Sequence, residues 1–273
     1  MIGRSMSEQA RSVADVVAFL REFAPAELAE SWDNVGLLVG DESWPAKKVL
    51  TCLTLTEDVA EEAAASDVGL VITHHPLLFR PVKRITSETS EGRTLLTLLK
   101  AGVAVYSPHT AFDSAVHGIN RRLAAKLGLS SIRPLRPVAD ASPAGGGRFG
   151  QLSESMSLAD FLITVREALQ VETLSYVGEP ELPVRTIAVA CGSAAEFLDD
   201  AARHDCDVLL TGEARFHACL DAQSRGMAMI LAGHYATERP AIEELAAVIA
   251  ERFPGLEAAP SSVERDPLRW STR

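Results

Sequence analysis

Three short apolar runs in this chain each lead into residues that carry nitrogen or oxygen donors, and this pattern restricts the fold more than any other feature. Val68–Ile72 leads into Thr73-His74-His75-Pro76, and Val103–Tyr106 leads to His109-Thr110-Ala111-Phe112-Asp113. Met227–Leu231 precedes Gly233-His234-Tyr235-Ala236-Thr237-Glu238. Short runs of this kind read as buried strands. A strand ending in imidazoles or carboxylates delivers them to the carboxyl edge of a sheet, where α/β proteins hold their ligands. The expected class is α/β.

The intervening segments read as helices. Ser12–Phe23 places Val13, Val16, Val17 and Leu20 on one face, with Ser12 set to cap and Asp15 three residues on. Strand Val49–Leu55 and helices Glu57–Ala65, Gly92–Lys100 and Gly118–Leu127 follow, the last closed by Gly128. The second half repeats the outline: strand Thr186–Ala190, helix Ala194–Arg203, strand Val208–Leu210, helix Arg215–Ser224 and strand Met227–Leu231. Its last helix is expected over Ala241–Phe253, with Pro240 in the first turn.

The repeat has a register, since His109 and His234 are 125 residues apart, as are Asp113 and Glu238. A lone His-x-x-x-acid segment is commonplace. Two at equivalent points of two β-α-β arrays point to one element used twice. We therefore expect two pseudo-repeated α/β lobes, 1–140 and 141–273, with the donor residues in the cleft between them and the division in the Pro/Ala/Gly-rich stretch Pro134–Gly150. The run Gly145–Gly150 lacks the Lys-Ser/Thr of a phosphate loop and reads as a turn or bulge.

Composition removes several functional classes. A formal net charge of -11 repels phosphate backbones, so nucleic acid is not an expected partner, and Arg80, Lys83 and Arg84 form the visible basic cluster. The four cysteines are scattered and never form C-x-x-C, as suits reduced thiols in a cytoplasmic protein. Met1–Ser12 lacks the pattern of an export signal, and no apolar run approaches the roughly 20 residues that span a bilayer.

Six residues, His74, His75, His109, Asp113, His234 and Glu238, make a mixed N/O donor set suited to Zn, Mn, Fe, Co or Ni more than to Ca or Mg. An isolated His-His pair is more often one buried and one solvated histidine, but further donors at comparable strand ends favour metal. Six donors exceed one tetrahedral ion, and a carboxylate such as Glu238 can bridge two. Neighbours on an extended strand point to opposite faces, so His74 and His75 suit two ions or a turn at Pro76. Glu213, in Thr211-Gly212-Glu213, holds the place in the second half that the histidine pair holds in the first, and reads as a supporting group, a general base or a solvated carboxylate. His117, His204 and His217 read as surface or structural residues. Arg80 and Lys83, with Arg84, are solvated loop cations and substrate-phosphate candidates. Trp32 is read as a buried indole anchoring Asp33-Asn34-Val35-Gly36 rather than a base-stacking platform.

Taken together, Trp32-Asp33-Asn34-Val35-Gly36-Leu37, Thr73-His74-His75-Pro76, His109-Thr110-x-x-Asp113, Thr211-Gly212-Glu213 and Gly233-His234-Tyr235-Ala236-Thr237-Glu238 resemble the NIF-three-like dinuclear-metal family, many of whose members are called GTP cyclohydrolase 1 type 2 homologues. The resemblance implies a two-lobed α/β fold, two divalent ions per chain and a homohexamer. It maps the ligands to His74, His75, Asp113, His234 and Glu238, with Glu238 shared and His109 in support. Ala111 and Phe112 replace the usual Asn and Leu, and His117 a common Gly, changes that bear on pocket shape. The implied function is a metal-dependent hydrolase of a nucleotide or phosphoester; the alternative is a non-enzymatic metal-binding scaffold or regulatory interaction protein.

Overall fold

A computed structural model describes residues 11–269 and 271; the polar segment read above for export signals lies, through residue 10, outside them. In chain order the first elements are α1 (Val13–Phe23), β1 (Gly36–Val39), β2 (Lys48–Thr54), α2 (Glu57–Ala65), β3 (Leu70–His75), α3 (Ser90–Ala101), β4 (Ala104–Ser107), α4 (His109–Ser114) and α5 (Ile119–Lys126). Next come β5 (Ser130–Arg133), β6 (Arg136–Pro137), β7 (Gly145–Gly146), β8 (Arg148–Ser157), α6 (Leu158–Leu169), β9 (Ser175–Val177) and β10 (Pro183–Ala190). The last are α7 (Leu198–Arg203), β11 (Val208–Thr211), α8 (Phe216–Ser224), β12 (Ala228–Leu231), α9 (His234–Arg252) and β13 (Glu257–Pro260).

The chain divides into two compact units. Unit 1 takes the chain up to Glu22, then Ser31–His109 and Ile242–Arg265; unit 2 takes Phe23–Glu30, Thr110–Ala241 and the chain from Asp266. The crossing falls at His109/Thr110, upstream of the expected 140/141 division, and a C-terminal segment returns to unit 1 to supply its edge strand β13.

Unit 1 holds a five-stranded sheet, β1-β4-β3-β2-β13, in which β13, β2, β3 and β4 run parallel and β1 is antiparallel to β4. Its central strands β2, β3 and β4 are buried almost throughout, as in parallel sheets, while the edge strands β1 and β13 are only partly so. Leu50, Cys52 and Val71 pack with Val59, Ala60 and Ala63 of α2 and with Leu95 and Leu98 of α3. Each fully buried Val or Leu contributes roughly 1.5–3 kcal/mol. α1 begins as its sequence specifies: Asp15 N–H donates to Ser12 Oγ at 3.3 Å, and Ser12 N–H donates to Asp15 Oδ2 at 2.8 Å.

Unit 2 holds a six-stranded sheet, β5-β8-β10-β11-β12-β9, with β10, β11 and β12 parallel and the other pairings antiparallel. Ala188, Leu209 and Met229 of its central strands pack with Phe197, Leu198 and Ala201. The expected repeat is present as topology. Each unit lays three parallel strands in order, β2-β3-β4 and β10-β11-β12, and flanks the third with a short antiparallel strand, β1 or β9.

Two local expectations are corrected. The last helix starts at His234 rather than near Pro240, which lies inside it; a proline costs the helix one N–H bond, and here the helix runs through it. The Gly145–Gly150 run is no simple turn, because Gly145–Gly146 forms β7, paired with β6, and Arg148–Gly150 opens the ten-residue β8.

Candidate metal centre

In unit 1, β3 carries the histidine pair and α4 begins on His109 just past β4. One ring nitrogen from each of His74, His75 and His109 lies within 4.8 Å of the other two. The His74 and His75 rings are 5.2 Å apart although adjacent in sequence, because His75 is the last residue of β3, where the strand's alternation ends. His74 is buried and its carbonyl accepts from Ser107 Oγ at 2.7 Å. Thr54 Oγ1 lies 2.7 Å from His75 Nδ1, and the buried Asp33 Oδ1 lies 2.7 Å from His109 Nδ1. With Nδ1–H donating to these oxygens, both rings present an Nε2 lone pair, the usual arrangement behind a metal ligand.

In unit 2, His234 and Glu238 occupy the first turns of α9, one helical turn apart. His234 Nε2 lies 3.1 Å from Glu238 Oε2, and its Nδ1 lies 3.1 Å from Glu213 Oε1. Chiefly the hydrogen bond to Glu238, and to a lesser degree Glu213, raise the His234 pKa to about 9 against the opposing effect of burial. An ion at Nε2 would take that proton's place. Gly192, after β10, has φ +66°, and a Cβ there would stand 2.2 Å from Glu238 Oε1 and 3.3 Å from His234 Nε2. Only glycine lets the backbone pass this close. The same residue ties the loops together: its N–H donates to Thr237 Oγ1, and its carbonyl accepts from Gly212 and Glu213 N–H.

Asp113 sits on α4, one turn past His109, and is half-buried. Cys191 Sγ donates to its Oδ1 at 3.3 Å. Asn120 joins the two, Nδ2 donating to the Asp113 carbonyl and Oδ1 accepting from Cys191 N–H. Burial first, then the Asp113 and Glu238 charges, push the Cys191 thiol well above its ordinary value, so it remains a donor. Arg148, wholly buried, donates to the carbonyls of Ser114 and Ala115 at the end of α4 and to those of Gly145 and Gly147. Burial and the nearby Arg121 charge lower its pKa to about 10, which leaves it cationic at neutral pH, at the end of a helix that favours a cation.

The donors fit divalent transition metals: three converging imidazoles in unit 1, and in unit 2 a buried carboxylate against an imidazole, with a glycine clearing the space beside them. The sequence profile of the family described as Duf34/NIF3 (NGG1p interacting factor 3) matches residues 11–267. The chain belongs to that family. A Clostridium perfringens protein named GTP cyclohydrolase 1 type 2 homolog is 33% identical over 259 residues, covering 94% of this chain and 98% of its own. The Drosophila melanogaster NIF3-like protein 1 is 32% identical over 274 residues, covering 98% and 92%. Among solved structures, the Staphylococcus aureus hypothetical protein SA1388 superposes with TM-score 0.89 at 26% identity, over 96% of this chain and 100% of its own.

In this NIF3-family chain the remaining sequence candidates separate cleanly. Arg80, Lys83 and Arg84 are exposed, as are His117 and His217. His204 is structural: it stacks on Phe149 at 4.3 Å, with Nε2 3.1 Å from the Leu135 carbonyl. Trp32 overturns its sequence reading, being 59% exposed. Asn34 and Asp33 hold the turn instead, through Asn34 Nδ2 to the Leu78 carbonyl and Asp33 to His109. The residues sequence reasoning missed are the orienting ones, Asp33, Thr54, Cys191 and Asn120. Their one visible signal was that Asp33-Asn34 and Cys191-Gly192 stand in short polar or glycine-bearing segments beside apolar runs.

Proposed function

We propose that this NIF3-family protein is a metal-dependent hydrolase acting on a nucleotide or other phosphoester. In this reading His74, His75, Asp113, His234 and Glu238 would hold two divalent ions, with His109 in support. The observation that carries this reading is the convergence of the His74, His75 and His109 ring nitrogens within 4.8 Å. Imidazole is the commonest protein ligand for such ions, and this grouping suits a cation held by His74 and His75 with His109 beside them. The His234–Glu238 contact and the glycine-only space at Gly192 support the second donor set.

Ions held there supply Lewis acidity and raise the acidity of water. The chain's own groups do the rest: Asp33 and Thr54 fix the His109 and His75 rings, Cys191 orients Asp113, and Glu213 steers His234 and is placed to accept a proton. The mixed N/O set supports Zn, Mn, Fe, Co or Ni. The name borne by the Clostridium perfringens relative supports a nucleotide substrate. A homohexamer and a cytoplasmic location belong to the same reading, the latter supported by four cysteines that form no disulfide among the described residues. No helix among the described residues is long and apolar enough to cross a membrane.

The test is a hydrolysis screen of nucleotides and phosphoesters with Mn- or Zn-loaded protein. Turnover is expected, with a loss of at least about a hundredfold in His234→Ala/Glu238→Ala. Tight metal binding with no turnover, and a melting temperature that drops on chelation, would establish a metal-held scaffold instead.

A further inference from the structure

Soluble chains seldom leave an indole and a phenyl ring together in solvent, yet Trp32 is 59% and Phe79 47% exposed. The two form an edge-to-face pair with centroids 5.9 Å apart. Each also meets the His109 ring edge-on, at 6.1 Å from Trp32 and 6.4 Å from Phe79. Their loops are pinned rather than loose. Asn34 Nδ2 donates to the Leu78 carbonyl at 2.6 Å, and Asp33, beside Trp32, accepts from Asn34 N–H while lying against His109. Aromatic faces are thus held open at the rim of the imidazole cluster. Immediately after Phe79 the chain carries Arg80, Lys83 and Arg84, all exposed, in a protein whose net charge is -11.

We propose that Trp32 and Phe79 form a stacking platform for a planar heteroaromatic ring bearing an anionic group, with Arg80, Lys83 and Arg84 supplying the charge that meets the anion. This inference rests on the proposed hydrolase reading for its place beside the donors, but its energetics are independent of bound metal. A π-face stacks on any flat heterocycle, so the platform selects the ring class rather than one base. Guanidinium and ammonium groups on the segment that follows Phe79 suit a phosphate or carboxylate.

Calorimetric titration of the full chain decides it, with and without prior chelation. The probes are adenosine, guanosine and their 5′-monophosphates, with ribose 5-phosphate as an anion that has no ring. Monophosphates should bind tightest, nucleosides next and ribose 5-phosphate weakest, and nucleoside binding should survive chelation. Trp32→Ala should weaken nucleoside binding by roughly tenfold, the size of one lost stack, while Trp32→Phe stays within about threefold of the parent. The triple change Arg80→Ala, Lys83→Ala and Arg84→Ala should bring monophosphates down to nucleoside affinity and leave nucleosides unmoved. Parent-like nucleoside binding by Trp32→Ala overturns the proposal, as does ribose 5-phosphate binding as tightly as the monophosphates, or no ring compound binding at millimolar concentration. Metal per chain, measured on the same samples, separates this failure from that of the hydrolase reading: Trp32→Ala should retain the parent's metal content.

Discussion

At the scale of single residues, the donors of this chain are governed by partners far away in sequence. Asp33 reaches His109 across 76 positions, and Cys191 reaches Asp113 across 78. Asp33 orients His109, which stands in support of the proposed ligands, and outer groups of this kind typically matter by roughly 10- to 100-fold in metal affinity. Asp33→Ala should therefore weaken metal binding by about that factor, read by competition with a chromophoric chelator. An unchanged affinity would remove Asp33 from the centre. At the start of α2, Glu57 receives Arg93 Nε and Nη2 at 2.6 and 2.7 Å. Chiefly through that contact, with help from Ser90, its pKa falls from 4.5 to about 2. The folded value lies below the unfolded one, so the pair stabilises fully above pH 4.5 and loses its effect as pH falls through about 2. In Arg93→Ala the Glu57 carboxyl should titrate nearer 4.5 by NMR, and the acid limb of the stability curve should flatten.

At the scale of elements, the end of α4 depends on one buried cation. Arg148→Met leaves the carbonyls of Ser114, Ala115, Gly145 and Gly147 without their charged donor. The expected loss is roughly 3 kcal/mol in urea melts; a loss below about 0.5 kcal/mol, the range of an ordinary surface change, would contradict the role given to Arg148. Elements built from apolar runs were legible in the sequence: β2, α2, α3, β10, α8 and β12 lie within a few residues of their expected bounds. β8 was not, because Arg-Phe-Gly-Gln-Leu-Ser-Glu-Ser-Met-Ser has little apolar density and is held by its two antiparallel neighbours. β13, Glu-Ala-Ala-Pro, exists only because β2 offers an edge. The early start of α9 was hidden by Pro240, and α4 is too short at six residues to show periodicity. The donors themselves were visible because strand ends announce them. Their orienting partners were not, since contacts set by tertiary packing leave no local spacing.

At the scale of the whole molecule, each unit repeats one β-α-β plan, and the helix that follows each third parallel strand carries a histidine and an acid one helical turn apart. These are His109 and Asp113 on α4, and His234 and Glu238 on α9. The repeated strand order accompanies two groups of donor residues, and family membership extends over nearly all the chain's length, residues 11–267. If the sets act together, removing either should lower metal occupancy at both. The most direct measurement is elemental analysis of the purified chain, loaded with Mn or Zn and passed over a desalting column. Two metal ions per chain are predicted for the parent, with occupancy falling to one or fewer in His74→Ala/His75→Ala and in His234→Ala/Glu238→Ala alike. No retained metal in the parent after supplementation, or full occupancy in both variants, would contradict the account.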